Sequence, residues 1–244
     1  MPRFFVPSEN FTDSALKVTG EDAFHIARAL RMAVGNELTV CDMHGSEYSC
    51  RITKIRDDVC ECDILEKSEG KTESPVFISL YMAYPKGDKL EVVTQKAVEL
   101  GASEIIPFES SRCVKKPKPE KAEREHARLS KIAEEAAKQC GRSRLVNILP
   151  SLSYGEMLTA ARKADLTLFC YEGDGAKSLK EILSSINNVR TIAVVVGSEG
   201  GFSLSEAEAA REAGAVITNL GPRILRCETA PSYVLSAISY HFEL

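Results

Sequence analysis

Two hydrophobic patterns divide the chain. Up to about residue 70 the apolar positions come in short runs, beginning with Phe4-Phe5-Val6. Strands are expected over Glu37–Asp42, Glu47–Arg56 and Val59–Leu65, parted by Met43-His44-Gly45-Ser46 and Asp57-Asp58 turns. Between them, Glu21–Met32 has the spacing of a helix carrying Phe24, Ile26, Ala27 and Leu30. Glu66–Ser74 is polar and aperiodic, which predicts a linker. From Pro75 onward buried runs alternate with amphipathic segments. Strands are expected at Val76–Tyr84, Glu104–Phe108, Leu145–Leu149, Leu166–Tyr171, Ile192–Val196 and Val216–Leu220. The intervening helices include Asp88–Leu100, closed by Gly101, and Glu120–Cys140, closed by Gly141. That alternation calls for an α/β domain with a mostly parallel sheet. The expected organisation is a small β-rich domain over 1–70 and an α/β domain over 75–244.

Two of the expected strands end in glycine-bearing loops that lead into helices. Ile192–Val196 passes into Gly197-Ser198-Glu199-Gly200-Gly201-Phe202, and Val216–Leu220 into Gly221-Pro222-Arg223-Ile224-Leu225-Arg226-Cys227-Glu228-Thr229-Ala230. Ligands of open α/β sheets bind in the crevice beyond the carboxyl ends of the strands. Glycine lets the backbone approach such a ligand with no Cβ between them. A plain turn is the competing reading of the first loop. The second loop, with two arginines and a carboxylate around Ile224-Leu225, favours a small-molecule site. Neither a G-x-G-x-x-G fingerprint nor a G-x-x-x-x-G-K-[ST] phosphate loop is present.

Composition adds a charge map. The net charge is −4, yet it is unevenly spread. Residues 1–70 hold 8 basic against 13 acidic side chains, net −5, whereas residues 112–144 hold 11 against 5, net +6. Phosphate binding depends on a local patch and not on the total, although Lys/Glu-rich helices are commonly just solvated faces. No apolar run is long enough to span a bilayer, and the first residues lack a signal peptide's apolar core, so a cytoplasmic protein is expected. The eight cysteines are scattered without a C-x-x-C pair. Reduced thiols are the expectation, and no metal site is predicted.

The glycine loops carry a family resemblance. Together with Gln95-Lys96, Glu99-Leu100-Gly101, Arg112, the stretch Glu135 to Arg142 and Arg3-Phe4-Phe5, they are similar to the RsmE family. Those are ribosomal RNA methyltransferases of the SPOUT class. Ser198 stands where that family usually has proline and Cys227 where it has alanine, both small residues. The resemblance implies methylation of N3 of a uridine in 16S RNA of the small ribosomal subunit, with S-adenosylmethionine as cofactor. It also implies a PUA-like first domain, a C-terminal trefoil knot and a homodimer. Periodicity alone would argue against a knot.

That chemistry assigns expected roles to residues. S-adenosylmethionine carries its own activated methyl group, so the protein must bind it, align the acceptor nitrogen and see that nitrogen deprotonated. Leu220, Ile224 and Leu225 can form an apolar adenine slot, with backbone hydrogen bonds from Gly197, Gly201 and Gly221. Val196, Ser198, Thr229 and Ala230 flank them, and Tyr171 and Glu172 belong to a third strand-end loop. Glu172 could accept from a ribose hydroxyl or be an ordinary exposed carboxylate. Arg226 is the expected stabiliser of charge on the base carbonyls. Glu199 or Glu228 could be the base, but a helix-start carboxylate can equally satisfy free N–H groups. RNA contacts are expected from Arg3, from His25, Arg28 and Arg31 on one helix face, and from Arg112, Lys115, Lys116, Lys118, Gln139 and Arg142. A non-catalytic RNA-binding factor and a nucleotide-cofactor enzyme are the competing classes. The intact glycine loops weigh against the first, and the absent Rossmann and phosphate loops against the second.

Overall fold

The structure, a computed structural model, describes residues 1–56, 58–116 and 119–244. It separates into two compact units, Met1–Glu73 with Ala137–Leu145, and Ser74–Ala136 with Val146–Leu244. No described helix is long and apolar enough to cross a membrane.

The first unit is built from β1 (Arg3–Phe5), β2 (Ala15–Thr19), α1 (Gly20–Phe24), β3 (Glu37–Cys41), β4 (Ser46–Ile55) and β5 (Val59–Glu69). The five strands form one sheet in the order β1-β3-β4-β5-β2, antiparallel except where β1 runs parallel to β3. Alternate residues point inward, so Leu16, Val18, Leu38, Val40, Cys50, Ile52, Cys60 and Cys62 make the core with Phe4, Ala23 and Ile26. Cys60 and Cys62, two apart on β5, present their sulfurs 3.8 Å apart inside that core.

The expected linker begins later than its polarity suggested. Glu66–Glu69 continue β5 and pair with Ser46–Ser49, where Lys67 lays its ammonium over the ring of its cross-strand partner Tyr48 at 5.3 Å. The expected helix over Glu21–Met32 is also cut short. After α1 the chain winds a wide turn over His25–Ala29, in which the Leu30 amide donates to the His25 carbonyl at 2.9 Å, five residues back. Arg31 then takes a left-handed backbone, φ +52°. His25, Arg28 and Arg31 are all exposed, but the α-helical spacing that would align them on one face is absent. Phe24 and Leu30 point outward, and only Ala23 and Ile26 from this segment are buried.

The second unit contains β6 (Phe77–Ala83), α2 (Lys89–Glu99), β7 (Glu104–Glu109), α3 (Pro119–Cys140), β8 (Asn147–Ile148), β9 (Leu152–Ser153), α4 (Tyr154–Ala161), β10 (Leu166–Cys170), β11 (Lys177–Ser178), α5 (Leu179–Ser185), β12 (Thr191–Val196), α6 (Leu204–Glu212), β13 (Val216–Asn219) and α7 (Thr229–Glu243). The last turn of α3 groups with the first unit. Every pairing in this eight-stranded sheet is parallel, in the order β11-β13-β10-β12-β6-β7-β8 with β9 beside β7. Strands buried on both faces need continuous apolar runs, and Ile192–Val196 and Leu80–Ala83 supply them. Ser153, Ser178 and Ser203 each cap the following helix in a reciprocal box with Glu156, Glu181 and Glu206. Parallel pairing sends the carboxyl ends of β6, β10, β12 and β13 to one edge of the sheet, and there the loops gather.

Candidate active site

A cavity of about 590 Å³ opens at that edge. Tyr171 and Glu172 reach it from the end of β10, Val196 to Phe202 from the end of β12, and Leu220, Ile224, Leu225, Arg226 and Ala230 from the loop between β13 and α7. All three loops named from the sequence thus meet. Gly221 and Thr229 do not line the cavity; Gly221 serves its loop through a left-handed backbone, φ +106°, and Thr229 opens α7. Gly200, Phe202, Thr218, Cys170, Cys227, Lys89 and Arg112 line the cavity without having been expected there as cofactor contacts.

The glycines of the first loop do different jobs. Gly201 has φ +62°, a conformation an L side chain adopts only with strain, and a Cβ there would meet open space. Gly200 is fixed by contact: a Cβ would stand 2.9 Å from the Arg112 Cβ and 3.0 Å from its carbonyl oxygen. Gly197 packs against Gly201, whose Cα a Cβ would meet at 3.2 Å. The Arg112 segment is held to this loop from both sides. Arg112 Nη1 donates to the Gly200 carbonyl at 3.1 Å, and buried Glu206 accepts from the Ser111 amide and hydroxyl at 2.7 and 2.9 Å. Burial pushes the Glu206 carboxyl up, but the amides and hydroxyls of Ser111 and Ser203 outweigh it and hold it below the usual range.

The charged groups are the main departure from expectation. Lys89, at the start of α2, places its ammonium 3.0 Å from Glu199 Oε1 and 3.1 Å from Glu228 Oε2. Glu199 also accepts from the Lys86 amide at 3.0 and 3.2 Å. Burial opposes the charged form of Glu199, but Lys89 and the backbone donors hold its carboxyl below the usual range. The Glu228 carboxyl is lowered too, first by its own backbone N–H and, against burial, by Cys227 and Lys89. Lys89 is raised in turn, chiefly by Glu199 and Glu228. Neither one caps a helix by its side chain: Ser203 caps α6, and Glu228 makes no cap bond to α7. Burial and the Glu228 carboxylate push the Cys227 thiol up to about 12, so it is no nucleophile. Arg226 is exposed and lines the cavity, and its side chain has no hydrogen bond or ion pair with any described residue.

Several residues expected to face RNA are occupied otherwise. Arg142 is 5% exposed and grips Glu73, with Nη2 2.6 Å and Nε 3.2 Å from Oε2. Glu73 further accepts from the Ser143 and Arg144 amides at 3.0 and 3.1 Å. Arg3 pairs with Glu47 at 2.8 Å and contacts Cys41. These arginines hold the first unit together. Lys115 is half-buried, 2.7 Å from Glu125 and over the Tyr84 ring. Lys116 and Gln139 are exposed, and Lys118 lies outside the described residues.

Against known proteins, a family profile described as RNA methyltransferase domain matches residues 72–239, more than half of the chain. A second, RNA methyltransferase PUA domain, matches residues 18–65. The Ribosomal RNA small subunit methyltransferase E of Bacillus subtilis is 36% identical over 231 residues, covering 93% of this chain and 90% of that protein. The chain belongs to the ribosomal RNA small subunit methyltransferase E family. The Synechocystis member is 28% identical, with 97% and 77% covered. The solved member of this family from Neisseria gonorrhoeae, bound to S-adenosyl methionine, superposes with a TM-score of 0.86 at 30% identity, covering 98% of this chain and 97% of that one. The fold class is therefore a PUA-like unit with a family methyltransferase unit of parallel α/β design.

Proposed function

We propose that this chain methylates N3 of a uridine in 16S RNA of the small ribosomal subunit, using S-adenosylmethionine bound at the strand-end cavity. The observation that carries this is the convergence of three glycine-bearing strand-end loops on one cavity whose size suits a nucleoside cofactor. The Neisseria gonorrhoeae relative binds S-adenosyl methionine, and the Bacillus subtilis relative bears the name of a ribosomal RNA enzyme. The residues fit the cofactor. Leu220, Ile224 and Leu225 offer an apolar slot, and the open space beside Gly201 admits a ligand to the backbone.

The cofactor, when bound, supplies the activated methyl group. The protein's own part is to fix the methyl acceptor and tolerate its charge. Arg226, without a partner among the described residues, can face the carbonyl oxygens of uracil and stabilise the negative charge that develops as N3 loses its proton. Glu199 and Glu228, both paired with Lys89, are the two carboxylates at the cavity that could take the N3 proton. Phosphates would be held by the exposed basic side chains of residues 112–144, with Lys116 the clearest among them. The domain roles proposed are RNA binding for 1–70 and methyl transfer for 75–244. We further propose a homodimer and a cytoplasmic location. A C-terminal knot is proposed as well; its support is the family to which the chain belongs.

The test is nucleoside mass spectrometry of unmodified small subunits incubated with the protein and methyl-labelled S-adenosylmethionine. Label in 3-methyluridine is the expected result. Label in another nucleoside, or none, contradicts the proposal.

A further inference from the structure

Lys89 opens α2, and its side chain lines the strand-end cavity. It is one cation between two carboxylates of different loops, Glu199 after β12 and Glu228 before α7. Cys227 Sγ lies 3.8 Å away. Arg112 and Glu172 line the same cavity, and Arg112 is committed to the Gly200 carbonyl.

The two carboxylates are not equally dependent on this lysine. Glu199 has a second anchor in the Lys86 amide. Among the described residues Glu228 has, apart from Lys89, the adjacent Cys227 thiol, at 3.2 Å, and its own backbone. Glu228 also sits two residues from Arg226, whose guanidinium has no partner among the described residues. With Lys89 removed, Arg226, two residues away and without a partner among the described residues, is a cation to which a released Glu228 can turn. Opposite charges that come together at the cavity rim attract.

We propose that Lys89 is a positioning residue: it captures Glu228 and thereby keeps Arg226 available to the RNA base. The proposal rests on the methyltransferase reading of this cavity. It assigns the lysine no contact with substrate and no proton transfer. Its consequence is that the harm done by losing Lys89 comes from a freed carboxylate, not from a lost tether.

That consequence separates the idea from a merely structural role. Wild type, K89M, K89R and K89M/E228Q are compared as full-length proteins in steady-state methylation of small subunits, with calorimetric titration of S-adenosylmethionine alongside. K89M should lose at least about tenfold in kcat while KM for the subunit stays within about threefold. K89R should keep most of the wild-type rate, since it can still hold both carboxylates. K89M/E228Q should regain most of the kcat that K89M lost, a non-additivity expected only if the two side chains act on one another. In that double variant the tether is still broken, so a structural role predicts no recovery. K89M with a wild-type kcat, or a double variant no faster than K89M, overturns the proposal. A wild type that fails to bind S-adenosylmethionine overturns the methyltransferase reading instead, so the two failures are told apart.

Discussion

The strand-end loops and the arginines of the first unit look equally functional in the sequence, and they meet opposite fates. Nearly every loop residue named as a cofactor contact lines one cavity. Arg3 and Arg142, named as RNA contacts, are turned inward to Glu47 and Glu73. The difference lies in what each role depends on. A glycine loop after a buried strand is specified locally, by backbone conformation and by the sheet edge to which parallel strands deliver it. The role of an arginine depends on whether some distant carboxylate claims it first. Arg142 and Glu73 are 69 residues apart, and no local pattern announces the pairing.

The comparison breaks most visibly at Arg142. Arg142→Ala leaves the half-buried Glu73 carboxylate without its guanidinium but with the Ser143 and Arg144 amides, and the first unit should lose about 1–3 kcal/mol of stability. Urea denaturation followed in that unit checks this; a change in RNA affinity with unchanged stability would return Arg142 to the RNA surface. The same pair sets an acid limb. Burial raises the Glu73 pKa, but Arg142 and two backbone amides win and hold it below the usual carboxylate value. The stabilisation is therefore full above the unfolded carboxylate pKa and is lost as pH falls through the lower folded value. Glu73→Gln should flatten the pH dependence of stability in that acid range and leave the rest of the curve unaltered in shape.

Arg226→Ala should lower kcat by about a hundredfold with cofactor affinity retained, the scale for removing one donor to developing charge. Steady-state kinetics across a salt series distinguishes this from a phosphate anchor, which would show a reduced salt slope and an unchanged kcat. A smaller effect is expected at Gly201→Val. The left-handed backbone makes any side chain there strained, by about 1–2 kcal/mol, and the Cβ projects into open space. Calorimetry should show cofactor affinity lowered by about tenfold or more, equivalent to about 1.4 kcal/mol per tenfold. The smallest change is Lys116→Ala, which should flatten the salt dependence of RNA binding by roughly one unit of slope. Arg3→Ala should leave that slope unaltered.

The alternation of apolar runs made the parallel sheet and most of its elements legible, because buried strands and amphipathic helices carry distinct periods. What escaped was set by the backbone or by distance. The wide turn at His25–Ala29 has no compositional mark, and β2, Ala15-Leu16-Lys17-Val18-Thr19, is a five-residue alternation directly after a polar stretch. The capping boxes at Ser153, Ser178 and Ser203 were readable as Ser-x-x-Glu and sharpen the starts of three helices. Lys89 was missed because a lysine at a helix start reads as solvated, and Cys227 beside it is 138 residues away. One signal could have found it. Pro85-Lys86-Gly87-Asp88 follows β6, and a parallel sheet sends the end of β6 to the same edge as the glycine loops.

Hydrogen exchange of the full chain, with and without saturating S-adenosylmethionine, tests the backbone-lined cavity most directly. Exchange reports the amides themselves, which are what the glycine loops are proposed to offer the ligand. Slowed exchange concentrated in residues 171–173, 197–202 and 220–226 is the predicted result. Protection confined to other segments, or no protection at a cofactor concentration that saturates binding, would contradict the placement of the cofactor at the strand ends.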